Sequence, residues 1–143
     1  MTATEAQEAA IDWMVRRFYE LGLADPVLGP IFRDAIRDWE PHIRVVADFW
    51  SNSIHGTGRY RGNSYAPHLR LNFGVEAFAH WLTAFEQAAR ESLAAEDADK
   101  AIRIARHMSK SFETGMFPFR GPNGEPSRTP AEPVARTKWK KAT

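Results

Sequence analysis

Apolar residues recur every three or four positions along five stretches of this chain, and nowhere do they alternate residue by residue for long. A period near 3.6 gathers side chains on one helical face, whereas a strand needs a period of two. The pattern predicts an all-α fold, and 143 residues suffice for one domain with a real core. No internal repeat of solenoid length breaks it. A first helix is expected over roughly Thr4 to Leu23, with Ile11, Met14, Val15, Phe18 and Gly22 inward and Tyr19 at the edge of the stripe. Asp25-Pro26 opens a short second helix carrying Val27, Leu28, Ile31 and Phe32, since an N-cap acceptor followed by proline suits a helix start. Asp38 begins a third, whose ridge of His42, Val46 and Trp50 ends at Gly56 and Gly58. A Gly/Asn/Ser turn and a short segment around His68 follow. A longer helix then spans about Gly74 to Ala94, with Phe78, Trp81, Leu82, Phe85, Ala89 and Leu93 inward. The last opens near Asp97, presents Ile102, Ala105, Met108, Phe112 and Met116 on one face, and is stopped by Gly115 and Pro118.

Residues 118–143 differ in kind. They hold five of the nine prolines and six Lys/Arg against two Asp/Glu, with little to bury. They read as a flexible tail behind a globular unit of residues 1–117. Without the tail the globular part carries a net charge of −3, which argues against a nucleic-acid partner. No apolar run approaches the ~18 residues of a membrane span, and the first residues lack a basic-then-apolar leader. A soluble, cytoplasmic protein is expected. The absence of cysteine excludes disulfides, thiolate metal sites, thiol catalysis and thioether attachment of a cofactor.

Other chemistries fall on motif grounds. There is no Gly-rich phosphate loop, no H-E-x-x-H and no G-x-S-x-G. The paired Glu-x-x-His of a helical di-iron site is missing too. His55, His80 and His107 read as surface or boundary residues, with His80 turned away from the core because its neighbour Trp81 faces inward. His68 and His42 remain, with Tyr19, Phe32, Trp81 and a surplus of aromatic residues. Pro67 pre-sets the backbone before His68, and Leu69, Leu71 and Phe73 give its segment apolar edges. A histidine in such a niche is most often a packed, hydrogen-bonded core residue. Tyr19 is open in the same way: its hydroxyl belongs either to the core boundary or to a polar spot in a cavity. Several helices lined with bulky apolar groups and one or two imidazoles also suit a flat hydrophobic cofactor such as haem. Aromatic stripes at helical spacing are more often plain core, so residue types alone leave both readings standing.

The order and spacing of several short motifs narrow the choice. Phe18-Tyr19, Leu28-Gly29-Pro30-Ile31-Phe32, Trp39-x-x-His42 leading into Phe49-Trp50, Tyr60-x-Gly62, His68-Leu69-x-Leu71 and Trp81-Leu82-x-x-Phe85 together resemble the truncated haemoglobins, most closely their third group. The resemblance covers about residues 10–117. The glycine pairs of the other two groups are absent here, where the loop after Ile54 reads His-Gly-Thr-Gly with its glycines separated.

The resemblance implies a two-over-two helical sandwich around haem b. His68 is then the proximal iron ligand, and Phe32 stacks on the haem. Tyr19 and Trp81 are distal hydrogen-bond donors to a diatomic ligand, and His42 stands at the distal gate or binds the iron directly. Val46, Tyr60, Leu71 and Phe73 complete the cofactor's surroundings. The expected ligands are dioxygen, carbon monoxide and nitric oxide, with an unidentified electron donor as partner. Reversible dioxygen binding is the leading function, and nitric-oxide or peroxide chemistry is a side activity that a polar distal pocket would allow. The alternative is a haem-based sensor or helical adaptor acting through a partner.

Overall fold

The computed structural model describes residues 2–69 and 71–129. Six helices run in chain order: α1 (Glu5–Ala24), α2 (Leu28–Ala35), α3 (Trp39–His55), α4 (Tyr65–His68), α5 (Ala77–Ser92) and α6 (Ala95–Met116). A hairpin of two-residue strands follows, β1 (Phe119–Arg120) and β2 (Pro126–Ser127).

Each helix forms for a local reason. Thr4 and Gln7 exchange hydrogen bonds at the start of α1, a capping box that satisfies two otherwise orphaned N–H groups. The Asp25 carboxylate accepts from the N–H groups of Val27 and Leu28 at 2.8 and 3.0 Å, which starts α2. Gly56 ends α3 in the left-handed conformation, at φ 64°. Lys100 reaches across from α6 to donate to the Ile54 carbonyl at 2.7 Å, filling an acceptor that the end of α3 leaves open.

Helix α1 packs against α2, α3 and α5, while α6 packs against α5 and α3. Two pairs, α1 with α3 and α5 with α6, meet through α1 against α5 and α3 against α6. The seam between α5 and α6 is built from alanines: Ala88, Ala89, Ala101 and Ala105 are fully buried. Small side chains let two backbones approach closely and leave no room for bulk between them. Ile11, Met14, Val15 and Phe18 of α1 fill the other side of that core.

The all-α expectation holds for the helical body, with three differences of detail. α5 begins at Ala77, because residues 74–76 close a turn through Ala77 N–H to the Gly74 carbonyl. α6 begins at Ala95 and runs through Gly115, where a β-carbon would collide with the Tyr65 hydroxyl. That glycine is kept for a close approach and does not terminate the helix. The third difference lies in the stretch expected to be a tail. Residues 118–129 fold back as the hairpin, turned at Gly124 (φ 83°) and closed by Gly121 N–H on the Glu125 carbonyl. Residues 130–143 lie outside the described residues. Among the described residues, no helix is long and apolar enough to cross a membrane.

Asp25 does double duty, since its other oxygen accepts from Nδ1 of His80 on α5 at 2.9 Å. His80 therefore faces a partner away from the core, as expected. Partial burial alone would raise the Asp25 carboxyl, but the His80, Leu28 and Val27 hydrogen bonds outweigh it and hold the group below its ordinary value. A depressed carboxyl contributes stability above its unfolded pKa and loses it as pH falls through the folded one. Asp25→Ala is expected to cost about 1–2 kcal/mol in urea unfolding at pH 7. The gap between variant and wild type should close as pH drops below the ordinary 3.8.

Candidate functional site

One cavity of about 320 Å³ opens between the two helix pairs, a size within the ~300–1,000 Å³ of small-molecule and cofactor sites. Its wall is mostly apolar. All nine residues singled out from the sequence line it: Tyr19, Phe32, His42, Val46 and Trp81 from α1, α2, α3 and α5, and Tyr60, His68, Leu71 and Phe73 from the segment between α3 and α5. Residues up to 62 positions apart in sequence thus converge on one space.

His68 closes the four-residue helix α4. Its Nδ1 lies 2.5 Å from the carbonyl oxygen of Ser64. A carbonyl only accepts, so Nδ1 carries the proton and Nε2 keeps the lone pair. The residue that holds the second nitrogen is a backbone group four positions upstream, a partner that spacing alone could not name. Burial pushes the His68 pKa down and the Ser64 bond opposes it only in part. The imidazole is neutral at neutral pH, the form that serves as a metal ligand.

Helix α3 presents the second imidazole. His42 Nε2 and the Tyr19 hydroxyl are 2.7 Å apart, so one proton is shared between them. Burial pushes the Tyr19 phenol well above its ordinary pKa, and it stays protonated. Burial also lowers the His42 pKa, with a further push from the charge His68 would carry. Two arrangements satisfy the pair. Either the phenol donates to the imidazole lone pair, or the imidazole N–H donates to the phenol oxygen and leaves the phenol proton free to enter the cavity. Trp39 packs edge-on against Tyr19 at 5.2 Å and against His42 at 6.3 Å, which limits how the pair can tilt.

The wall on that side is aromatic and stacked. Trp81 lies parallel to Phe85 at 5.6 Å, and Phe85 stacks on Trp50 at 4.5 Å. Phe18 touches Tyr19, Phe32, Trp81 and Phe85 with centroids 4.9–6.1 Å away. No hydrogen-bond acceptor for the Trp81 indole N–H is found among the described residues, which leaves a donor on a rigid wall.

The glycines of two short motifs gain a physical reason. In Tyr60-x-Gly62, a β-carbon at Gly62 would come within 2.9 Å of the Tyr60 hydroxyl, so glycine lets the ring fold over its own loop. That ring then packs edge-on against Phe49 at 5.2 Å and lines the cavity. In Leu28-Gly29-Pro30-Ile31-Phe32, a β-carbon at Gly29 would press on the Leu23 carbonyl at 2.7 Å.

Residue types did not flag Phe112 as part of the site. It stands on α6 with Met108 and Ser109 in the cavity wall, and its ring lies 5.1 Å from that of His68. Met108 and Phe112 were legible as the inward face of the last helix, but their meeting with His68 depends on where α4 is laid down.

No protein-family model matches the chain. The chain is 29% identical over 119 residues to a group 3 truncated hemoglobin of Campylobacter jejuni, covering 80% of this chain and 94% of that protein. It also superposes on the crystal structure of a group III truncated hemoglobin from Campylobacter jejuni with a TM-score of 0.68 and 30% identity, covering 78% of this chain and 92% of the other. A two-over-two helical body around an imidazole-bearing cavity makes this protein a globin. More particularly, the chain belongs to the truncated haemoglobins, group III. Membership carries with it haem binding and the capture of small diatomic ligands in general terms.

Gly22 tests how tightly the wall is packed. A β-carbon there would run into the Phe32 ring. Gly22→Ala should lower unfolding stability by about 1–3 kcal/mol through overpacking, measured by thermal unfolding.

Proposed function

We propose that this protein binds haem b through Nε2 of His68 and uses the cavity to hold dioxygen reversibly. The observation that carries the reading is the pairing of His68, its Nδ1 fixed on the Ser64 carbonyl, with a Tyr19–His42 hydrogen-bonded couple in the wall of the same apolar cavity. The donor set fits haem: one neutral, oriented imidazole on α4, mostly apolar walls, and the Tyr19, His42 and Trp81 donors on α1, α3 and α5. Phe32, Val46, Leu71 and Phe73 would enclose the ring, with Tyr60 at its margin. When bound, haem supplies an iron with an open coordination position for a diatomic ligand.

The chain's own residues then decide which ligand stays. Toward a ligand that carries partial negative charge, as dioxygen would more than carbon monoxide, the Tyr19 O–H and the Trp81 N–H would act as hydrogen-bond donors. His42 sets the direction of the Tyr19 proton. When its N–H donates to the phenol oxygen, the phenol donates into the cavity. The same donors favour turnover of nitric oxide or peroxide as a side activity. Dioxygen binding needs ferrous iron, so the reading also requires an electron donor in the cytoplasm. In this reading the globin unit is residues 1–117, with 118–143 appended to it.

Purified protein should show a Soret band that is lost in His68→Ala while the far-ultraviolet circular dichroism is kept. Wild-type protein that takes up no haem would end the proposal. A charge-assisted hydrogen bond contributes about 1.5–3 kcal/mol. Tyr19→Phe and Trp81→Phe should therefore each speed dioxygen release by roughly tenfold or more in stopped-flow displacement. Unchanged release in both would remove these residues from the role.

A further inference from the structure

Arg128, just past β2, is half-buried, and two of its three guanidinium nitrogens are hidden from solvent. Its guanidinium carbon sits 4.8 Å from the centre of the Phe73 ring and 5.0 Å from that of Phe117, in the notch the two rings make. Nη1 reaches the Leu69 carbonyl at 3.5 Å. Nε and Nη2 are shut off from water and meet no acceptor among the described residues. These two nitrogens form the side-on fork of a guanidinium, the edge whose parallel N–H bonds match the two oxygens of a carboxylate. A charged group is rarely buried without an anion, because desolvation must be offset by pairing. Aromatic faces compensate a cation in part, but they do not use the fork.

Its surroundings suggest what the fork is for. Phe73 forms part of the cavity wall, and Leu69 follows His68 directly. The guanidinium thus packs on a ring of the cavity wall and bonds to the residue next to His68. The hairpin brings it there: the Gly121–Gly124 turn reverses the chain, and Arg120 Nη1 ties that turn down on the Gly124 carbonyl at 3.1 Å. Haem is an apolar disc that carries two propionate carboxylates on one edge. We propose that Arg128 anchors a haem propionate through its Nε–Nη2 fork, so that the segment after Phe117 completes the pocket. The proposal rests on the haem reading above. Engagement asks only for a turn of the Arg128 side chain or a tilt of the Phe73 ring.

The test compares haemin with haemin dimethyl ester, whose propionates are uncharged, by release from full-length protein into excess apomyoglobin. Wild type should release the diester at least tenfold faster than haemin, a factor of about ten being the scale of one charge-assisted hydrogen bond. Arg128→Gln should release haemin roughly tenfold faster than wild type and the diester at the wild-type rate. Arg128→Lys, a point charge without the fork, should fall between. Equal acceleration for both porphyrins in Arg128→Gln would make the residue structural and overturn the proposal, and so would unchanged haemin release. If wild type takes up neither porphyrin, the haem reading fails first and this one with it.

Discussion

Holding a cavity of about 320 Å³ open inside a single small domain is the constraint on which the rest of this structure depends. Left unfilled, such a space denies its apolar lining the packing contacts that an ordinary core would supply. The walls must therefore resist collapse without help from a dense core at their centre. The molecule meets this with stiff parts: the Trp81–Phe85–Trp50 stack on one side, and Phe18 wedged among four rings beside it. The alanine seam between α5 and α6 works on the same problem from behind, because close backbones cannot shift inward further. Anything that fills the space and binds only the folded chain adds its binding free energy to stability. Folding and cofactor uptake are then two views of one equilibrium.

The same constraint governs the polar atoms. A buried donor or acceptor without a partner costs about 1–3 kcal/mol, so each polar group in an apolar wall must be either paired or of use. His68 Nδ1 is paired with the Ser64 carbonyl and Tyr19 with His42. These pairings free one atom each time, the His68 Nε2 lone pair and, in one of the two proton arrangements, the Tyr19 hydrogen. What these groups leave uncommitted is a lone pair on short α4 and hydrogens on α1 and α5. That asymmetry is the chemical content of the site, and it arises from backbone placement as much as from residue choice.

The helical body was legible in the sequence because 3.6-residue periodicity is a local signal, and Thr4, Asp25 and Gly56 mark their boundaries locally too. The site was legible only in part. The neighbours of His68 fit a plain core histidine equally well, and what singled it out was its company with Tyr19, Phe32, His42 and Trp81 at the spacing of one small-globin group. Phe112 escaped because its contact with His68 spans 44 positions and depends on the docking of a four-residue helix. The hairpin escaped for a different reason. Two-residue strands are too short to show alternation, and the proline and glycine content of 118–129 suits a turn and a loose tail alike.

The separated glycines of the loop after α3 show how a departure from a family pattern can carry structure. Gly56 and Gly58 both take positive φ, 64° and 75°, so the chain needs two left-handed residues there, and an adjacent glycine pair would also supply two. The residue between them is what this chain adds. The Thr57 hydroxyl lies 2.9 Å from that of Ser51, which is fully buried and donates to Glu8 of α1 at 2.6 Å. Asn52 accepts from the Gly58 N–H at 2.7 Å. A second glycine at position 57 would leave Ser51 one partner short inside the fold and let the loop slacken. With threonine there, the loop that leads to Tyr60 and His68 starts from a point fixed on both α1 and α3. The geometry of the histidine is thus set in part from Thr57, eleven residues upstream, by a polar network outside the cavity.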